Sequence, residues 1–281
     1  MTVPIVAARN ITYAVGDKIL VEDVTVTLER GRLTAVIGPN GAGKSTLLRI
    51  LAGELTSNSG NVRYLDQDVR SLSAWQLALR RAVMAQTTRL AFAFSVKEIA
   101  ALGIDSLGRR ASREARQALV ATALEKADVG HLADRIYQTL SGGEQQRVQF
   151  ARALTQLWAG QSIKRDQALL LDEPIAHLDM RHQLALMDAA RAQARDGVAV
   201  LVTIHDLNLA AAYADHLLVL NRGRLVAQGR PHEVLTSRLL AEVFGVDAGI
   251  GEAPPGAVFV LPHRHAERRA PGSGTNPKPD H

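Results

Sequence analysis

The stretch Gly38-Pro39-Asn40-Gly41-Ala42-Gly43-Lys44-Ser45-Thr46 satisfies the spacing G-x-x-x-x-G-K-[ST] at every fixed position. It constrains the fold more than any other part of the chain, because such a loop works only between a strand and a helix N-terminus. Both flanks comply. Leu33-Thr34-Ala35-Val36-Ile37 is short, apolar and rich in β-branched residues, the pattern of a buried strand, and Thr46 to Ala52 carries apolar residues at helical spacing. The glycines let successive N–H groups converge on one concavity, and the helix N-terminus adds partial positive charge. Lys44 is then expected to reach the β/γ-phosphates of a nucleotide and the Ser45 hydroxyl to sit on Mg²⁺.

Three further stretches end on polar chemistry. Ala168-Leu169-Leu170-Leu171 runs into Asp172-Glu173-Pro174. A strand apolar on both faces belongs at the centre of a parallel sheet, and its C-terminal end is where ligands sit in open α/β sheets. Asp172 is the expected partner of Mg²⁺ there, and Glu173 is placed to take a proton from an attacking water. Val198 to Ile204 is another buried strand, ending at His205. A histidine at a strand end is most often structural, but at the rim of a γ-phosphate pocket it can donate a hydrogen bond. Third, Ser141-Gly142-Gly143-Glu144 is a capping box opening a helix after two glycines, again an anion-binding geometry. It follows the first loop by about a hundred residues. One nucleotide hardly needs two such loops from one chain, which hints that the second serves a nucleotide held by another copy.

Between these landmarks, residues 5–37 read as β structure, with Ile11–Val15 and Ile19–Val21 around a Gly16-Asp17 turn, then Val24–Leu28 alternating apolar and polar. Tyr13 there is read as strand packing, with an adenine platform as the sharper alternative. Gly60–Tyr64 and Ala82–Gln86 are strand-like and Ser73–Arg80 helical. Residues 88–140 form an all-helical insertion: a Ser95/Glu98 capping box opens a helix ending near Gly103, and 112–127 make a second, closed by Gly130. Leu217–Leu220 and Leu225–Ala227 form a hairpin, and Pro231 starts a helix. From Pro262 the chain is rich in Pro, Gly and charge and is expected to be a disordered tail, so that His263 and His265 read as tail residues before they read as ligands.

The composition excludes several classes. No cysteine is present, so neither disulfides nor thiolate metal sites arise. No run approaches the ~18 apolar residues of a membrane span, and the N-terminus lacks the pattern of a signal peptide. A membrane role would need another chain to cross. The net charge of +5 lies partly in the tail, and aromatics are only 4%, which argues against base-stacking platforms and nucleic acid. With one phosphate loop and no internal repeat, the chain carries half of what a tandem nucleotide hydrolase would.

Leu140-Ser141-Gly142-Gly143-Glu144-Gln145-Gln146-Arg147, taken with Gly38–Thr46 and Leu169–Pro174, resembles the nucleotide-binding subunits of ATP-binding cassette (ABC) transporters, over roughly residues 5–250 and in the family's motif order. The resemblance implies a P-loop NTPase α/β fold: a mostly parallel core sheet, an N-terminal antiparallel β subdomain and the helical subdomain at about 88–140, within a cassette of 1–261 followed by the 262–281 tail. It implies a head-to-tail dimer in which Ser141, Gly142 and Gly143 cap the γ-phosphate of ATP-Mg held by the partner copy. Gln86 matches the glutamine that touches Mg²⁺ and the attacking water, Glu173 the general base, His205 the switch histidine, Asp179 the aspartate that communicates across the dimer, and Tyr13 the adenine-stacking aromatic. Ile175 departs from the usual Thr or Ser.

Met84 to Val96, Ala153 to Trp158, Arg181-His182-Gln183 and His205 to Ala210 resemble the haem-import ATPases within the haem, siderophore and cobalamin importer group. Ala93 and the stretch LGIDSLGRR from Leu102 to Arg110 depart from that pattern. The implied role is a peripheral ATPase at the cytoplasmic face of the inner membrane, docked on two permease subunits and served indirectly by a periplasmic haem-binding protein.

Overall fold

In the computed structural model, residues 4–85, 92–105, 112–161, 163–164, 166–248 and 250 are described. The chain opens with two long antiparallel strands, β1 (Val6–Val15) and β2 (Lys18–Leu28). The sequence suggests two short strands where β2 stands. They are one, kinked at Asp23, whose φ of 48° is mirrored by 49° at Asn10 on β1, and the Asn10 amide donates to the Asp23 carboxylate at 2.9 Å. β3 (Leu33–Ile37) leads through the phosphate loop into α1 (Lys44–Leu51), after which β4 (Ser59–Tyr64) and β5 (Gln67–Asp68) join the first sheet in the order β2-β1-β4-β5.

A short α2 (Ala74–Ala78), capped reciprocally by Ser73 and Gln76, precedes β6 (Arg81–Met84). Next come α3 (Val96–Asp105) and α4 (Arg113–Lys126), the described helices of the expected insertion, and then the long α5 (Gly142–Gln161). β7 (Ala168–Asp172), α6 (Met180–Arg195), β8 (Ala199–Thr203) and α7 (Leu207–Tyr213) complete the α/β alternation. The hairpin β9 (His216–Asn221) and β10 (Arg224–Gly229) and the short α8 (Pro231–Val234) follow.

The second sheet runs β10-β9-β3-β8-β7-β6, parallel except for β10. Its central strands are buried on both faces, and alternation splits their side chains between two cores. Leu33, Ala35, Leu169, Leu171, Val200 and Val202 face the helices α3 to α7. Val36, Leu170 and Leu201 face α1 and the antiparallel sheet, packing with Leu47, Leu51 and Val24. This is why these strands read as largely apolar runs rather than alternating ones.

One helix end differs from the expectation. α4 closes on Asp128, not Gly130: Asp128 takes φ 54°, its N–H donates to the Glu125 carbonyl at 3.0 Å, and the Val129 N–H reaches the Leu124 carbonyl at 2.9 Å. That is a Schellman closure with aspartate in the left-handed place. Gly130 instead begins a 3₁₀ turn, Gly130–Leu132.

Candidate functional site

The site is assembled where β3, β7 and β8 end side by side. At the close of β3 the loop turns so tightly that only glycine fits twice. Gly38 has φ 151° and a Cβ there would lie under 3.0 Å from the Leu220 carbonyl; Gly43 has φ 101° and would press as hard on the Leu20 carbonyl. Gly43 is also the N-cap of α1 and offers no side chain to the helix amides, which leaves those donors for an anion. The Lys44 ammonium donates back to the Gly38 and Pro39 carbonyls at 2.9 and 3.0 Å and is only 5% exposed. Burial lowers its pKa, against the pull of the Glu173 and Asp172 carboxylates.

Asp172, at the end of β7, is buried. Its Oδ1 accepts from the Ser45 hydroxyl at 3.0 Å and from the Thr203 hydroxyl at 2.7 Å. Burial raises its pKa although both hydroxyls and Lys44 work the other way. A carboxylate and a hydroxyl at the lip of an anion cradle are hard oxygen donors. They suit Mg²⁺, which binds through one or two carboxylates plus substrate phosphates; among the described residues no cluster of three or more His, Asp or Glu forms an all-protein metal cage.

Glu173 follows in left-handed backbone, φ 48°, a conformation that costs a non-glycine residue about 1–2 kcal/mol. Its N–H donates to Thr203 Oγ1 at 2.8 Å, its carbonyl accepts from Gln146 Nε2 at 2.8 Å, and its Oε1 lies 2.7 Å from His205 Nε2. The turn sends successive carboxylates to different places: Asp172 inward to Ser45, Glu173 outward to His205.

These groups enclose a cavity of about 510 Å³, lined by Asn40 to Thr46, Glu173, His205, Lys18 and Leu20. A hollow of about 470 Å³ between α3 and α4 is mostly apolar and holds no such constellation, so chemistry places the site at the first. Of the residues expected from sequence, Glu173, His205 and the phosphate loop meet at the cavity, and Asp172 stands behind Ser45. Tyr13 is half-buried on β1, opposite Val21 and packed on the β-sheet core, and it is not among the lining residues. Gln86 lies outside the described residues.

The second glycine loop is built as expected but sits elsewhere. The Ser141 hydroxyl and N–H both donate to Glu144 Oε2, at 2.8 and 2.7 Å, and hold that carboxyl below the ordinary range. None of Ser141, Gly142 and Gly143 lines the cavity of the same chain. Asp179 caps its own helix: its Oδ1 accepts from the His182 N–H at 2.9 Å and lies 2.8 Å from His182 Nδ1, and these bonds keep the carboxyl low. His182 Nε2 in turn lies 3.4 Å from the Asp128 carboxylate, which ties the end of α4 to the start of α6.

Four residues escape sequence reading: Thr203, Gln146, Lys18 and Leu20. Only Thr203 leaves a trace, since it ends a strand one residue before Ile204-His205, and the register sets it directly beside Asp172.

The sequence profile of the ABC transporter family matches residues 21–176. The chain is 46% identical over 255 residues to the "Hemin import ATP-binding protein HmuV" of Rhodopseudomonas palustris (strain BisB5), covering 91% of this chain and 96% of that protein. It is 48% identical to the protein of the same name from Bordetella pertussis (strain Tohama I), covering 90% and 98%. Among solved structures it superposes with a TM-score of 0.71 and 25% identity on a dimeric, post-hydrolysis ATP-binding cassette bound to ADP and Pi, covering 80% of this chain and 98% of that one.

Proposed function

This chain belongs to the ABC transporter family, and from that premise we propose that it is the ATP-hydrolysing subunit powering import of haem (hemin) through a membrane transporter. One observation carries the hydrolytic part. Glu173 brings a carboxylate to the wall of the cavity that the phosphate loop opens into, hydrogen-bonded to His205 and one residue from the Ser45–Asp172 pair. The cargo rests on relatives named for hemin import that match nine-tenths of the chain.

In this reading Gly38 to Thr46 cradle the ATP phosphates, Lys44 releases its loop carbonyls for the β/γ oxygens, and Tyr13 turns toward adenine. Glu173 takes a proton as a water oxygen bonds to the γ-phosphorus, while the bond to the β–γ bridging oxygen breaks and ADP leaves. His205 Nε2 hands its hydrogen bond from Glu173 to the γ-phosphate. Ser45 and Asp172, with Gln86, would hold Mg²⁺, which when bound would neutralise charge developing on the phosphate oxygens. Ser141, Gly142 and Gly143 act on the nucleotide of a second copy, which agrees with their absence from the cavity of their own chain. Asp179 marks the turn that faces that copy. Among the described residues no helix is long and apolar enough to cross a membrane. The relatives' naming for import supports a reading in which the cassette, residues 1–261 with its helical subdomain at 88–140, works from the cytoplasmic face of the inner membrane on two permease subunits, downstream of a periplasmic haem-binding protein.

The test is Glu173→Gln. It should bind ATP, accumulate an ATP-trapped dimer and lose steady-state hydrolysis by about a hundredfold or more; retained turnover refutes the assigned base. With the permease in proteoliposomes, ATP-dependent uptake of hemin supports the cargo, whereas uptake of a ferric siderophore or cobalamin in its place overturns it.

A further inference from the structure

Gln146 has no part in the phosphate chemistry described above, yet it joins the helix of the second glycine loop to the turn that carries Glu173. It stands in the second turn of α5, the helix that Ser141 and Glu144 open, and its Nε2 crosses to the end of β7 to donate to the Glu173 carbonyl at 2.8 Å. That carbonyl belongs to a residue in left-handed backbone. From the sheet side the same peptide turn is held by Thr203 Oγ1, which accepts the Glu173 N–H at 2.8 Å while donating to Asp172. Thr203 sits on a fully paired strand and cannot move without the sheet. Gln146 sits on the helix that carries Ser141–Gly143, and the loop itself rests on His177, whose carbonyl would lie 3.1 Å from a Cβ on Gly143. Within the turn the Glu173 carbonyl also accepts from the Ala176 N–H at 3.2 Å. Of the two side chains that hold the Glu173 peptide groups from outside it, Thr203 is therefore fixed and Gln146 travels with the second glycine loop.

We infer that Gln146 is a positioning residue for Glu173: it keeps the turn in the conformation that aims the carboxylate into the phosphate cavity, and it couples that aim to the placement of Ser141–Gly143. The inference rests on Glu173 being the base. A positioning role predicts a loss in kcat at nearly constant KM, and no further loss once the base is gone.

The experiment uses the full chain. Gln146→Met keeps the shape and removes the donor; kcat should fall about tenfold with the KM for ATP within twofold. Gln146→Lys restores a donor of similar reach and should recover kcat to within about threefold of wild type. Adding Gln146→Met to Glu173→Gln should leave the ATP concentration for dimer trapping within about twofold. The inference is overturned if Gln146→Met has wild-type kcat, if Gln146→Lys is as slow as Gln146→Met, or if the double variant needs tenfold more ATP to dimerise, since the effect would then lie in the glycine loop. The two readings fail separately: a fast Glu173→Gln removes the base, whereas an inactive Glu173→Gln beside a wild-type Gln146→Met removes only the positioning role.

Discussion

The tightness of the phosphate loop can be measured with two alanines. Gly41 and Gly43 both have positive φ, 77° and 101°, so either substitution carries the left-handed cost of about 1–2 kcal/mol. Their surroundings differ. A Cβ at Gly41 meets nothing within 4 Å, whereas one at Gly43 falls under 3.0 Å from the Leu20 carbonyl and at 3.6 Å from the Gly223 Cα. The obstructing atoms are backbone. Leu20 is held in β2 and Gly223 in the β9–β10 turn, whose N–H donates to the Ala42 carbonyl at 3.0 Å and whose carbonyl accepts from the Glu22 N–H at 2.8 Å. Relief requires moving a strand, an overpacking cost of about 1–3 kcal/mol. Gly41→Ala should therefore lose about 1–2 kcal/mol and Gly43→Ala about 2–5 kcal/mol. Urea unfolding gives both values, and a fluorescent-nucleotide titration should show the larger affinity loss at Gly43, because Leu20 also lines the cavity. Equal losses at the two positions would refute the argument that close approach, rather than φ alone, requires glycine at 43.

Two further substitutions test how the layers are joined. Asp215 accepts hydrogen bonds from both Arg191 amino groups and from the Leu33 N–H; burial alone would raise its carboxyl, but these bonds prevail and hold it below the ordinary range. A lowered folded pKa stabilises above the unfolded value of about 3.9 and loses that contribution as pH falls through the folded pKa. Asp215→Asn should cost about 2 kcal/mol at neutral pH, with the gap to wild type closing below about pH 4 in denaturant titrations. Gly103→Ala should raise the helix propensity of α3 by about 1 kcal/mol yet lower the melting temperature, because its Cβ would strike the Arg152 carbonyl and come within 2.9 Å of the Gln156 nitrogen on α5; a rise in melting temperature would count against that packing.

Much of this architecture is legible because its signals are local. A phosphate loop declares its strand and helix within twenty residues, and a capping box such as Ser141/Glu144 needs only four. The largely apolar runs at Leu33–Ile37, Ala168–Leu171 and Val198–Ile204 announce strands covered on both faces, which the two cores explain. What escapes is set by distance in sequence. Thr203 acquires its role only from the β7–β8 register, Gln146 only from the packing of α5 against the end of β7, and Lys18 and Leu20 only because β2 crosses over the phosphate loop. The closure of α4 escapes for a different reason. Gly130 is the default left-handed residue, but Asp128 takes that conformation and gains contacts with Arg147 and His182 that a glycine could not make.

Those contacts bear on how the chain can couple two events. Beside the site, among the described residues, the helical layer meets the α/β layer through Gln146 on the Glu173 carbonyl and through Asp128 against His182. Both lie on the segment from β7 to α6 that carries Glu173 and Asp179. A rotation of the helical layer about the sheet must therefore either carry that segment along or break one of these bonds. The apolar packing between the layers resists separation but tolerates sliding, because dispersion contacts are many and non-directional, whereas the 2.8 Å hydrogen bond from Gln146 to Glu173 tolerates little. Register between Ser141–Gly143 and Glu173 is thus set by the few polar contacts. Under the proposed function, a chain whose own cavity lacks the second glycine loop needs that register most, because the loop would then work on one nucleotide and Glu173 on another.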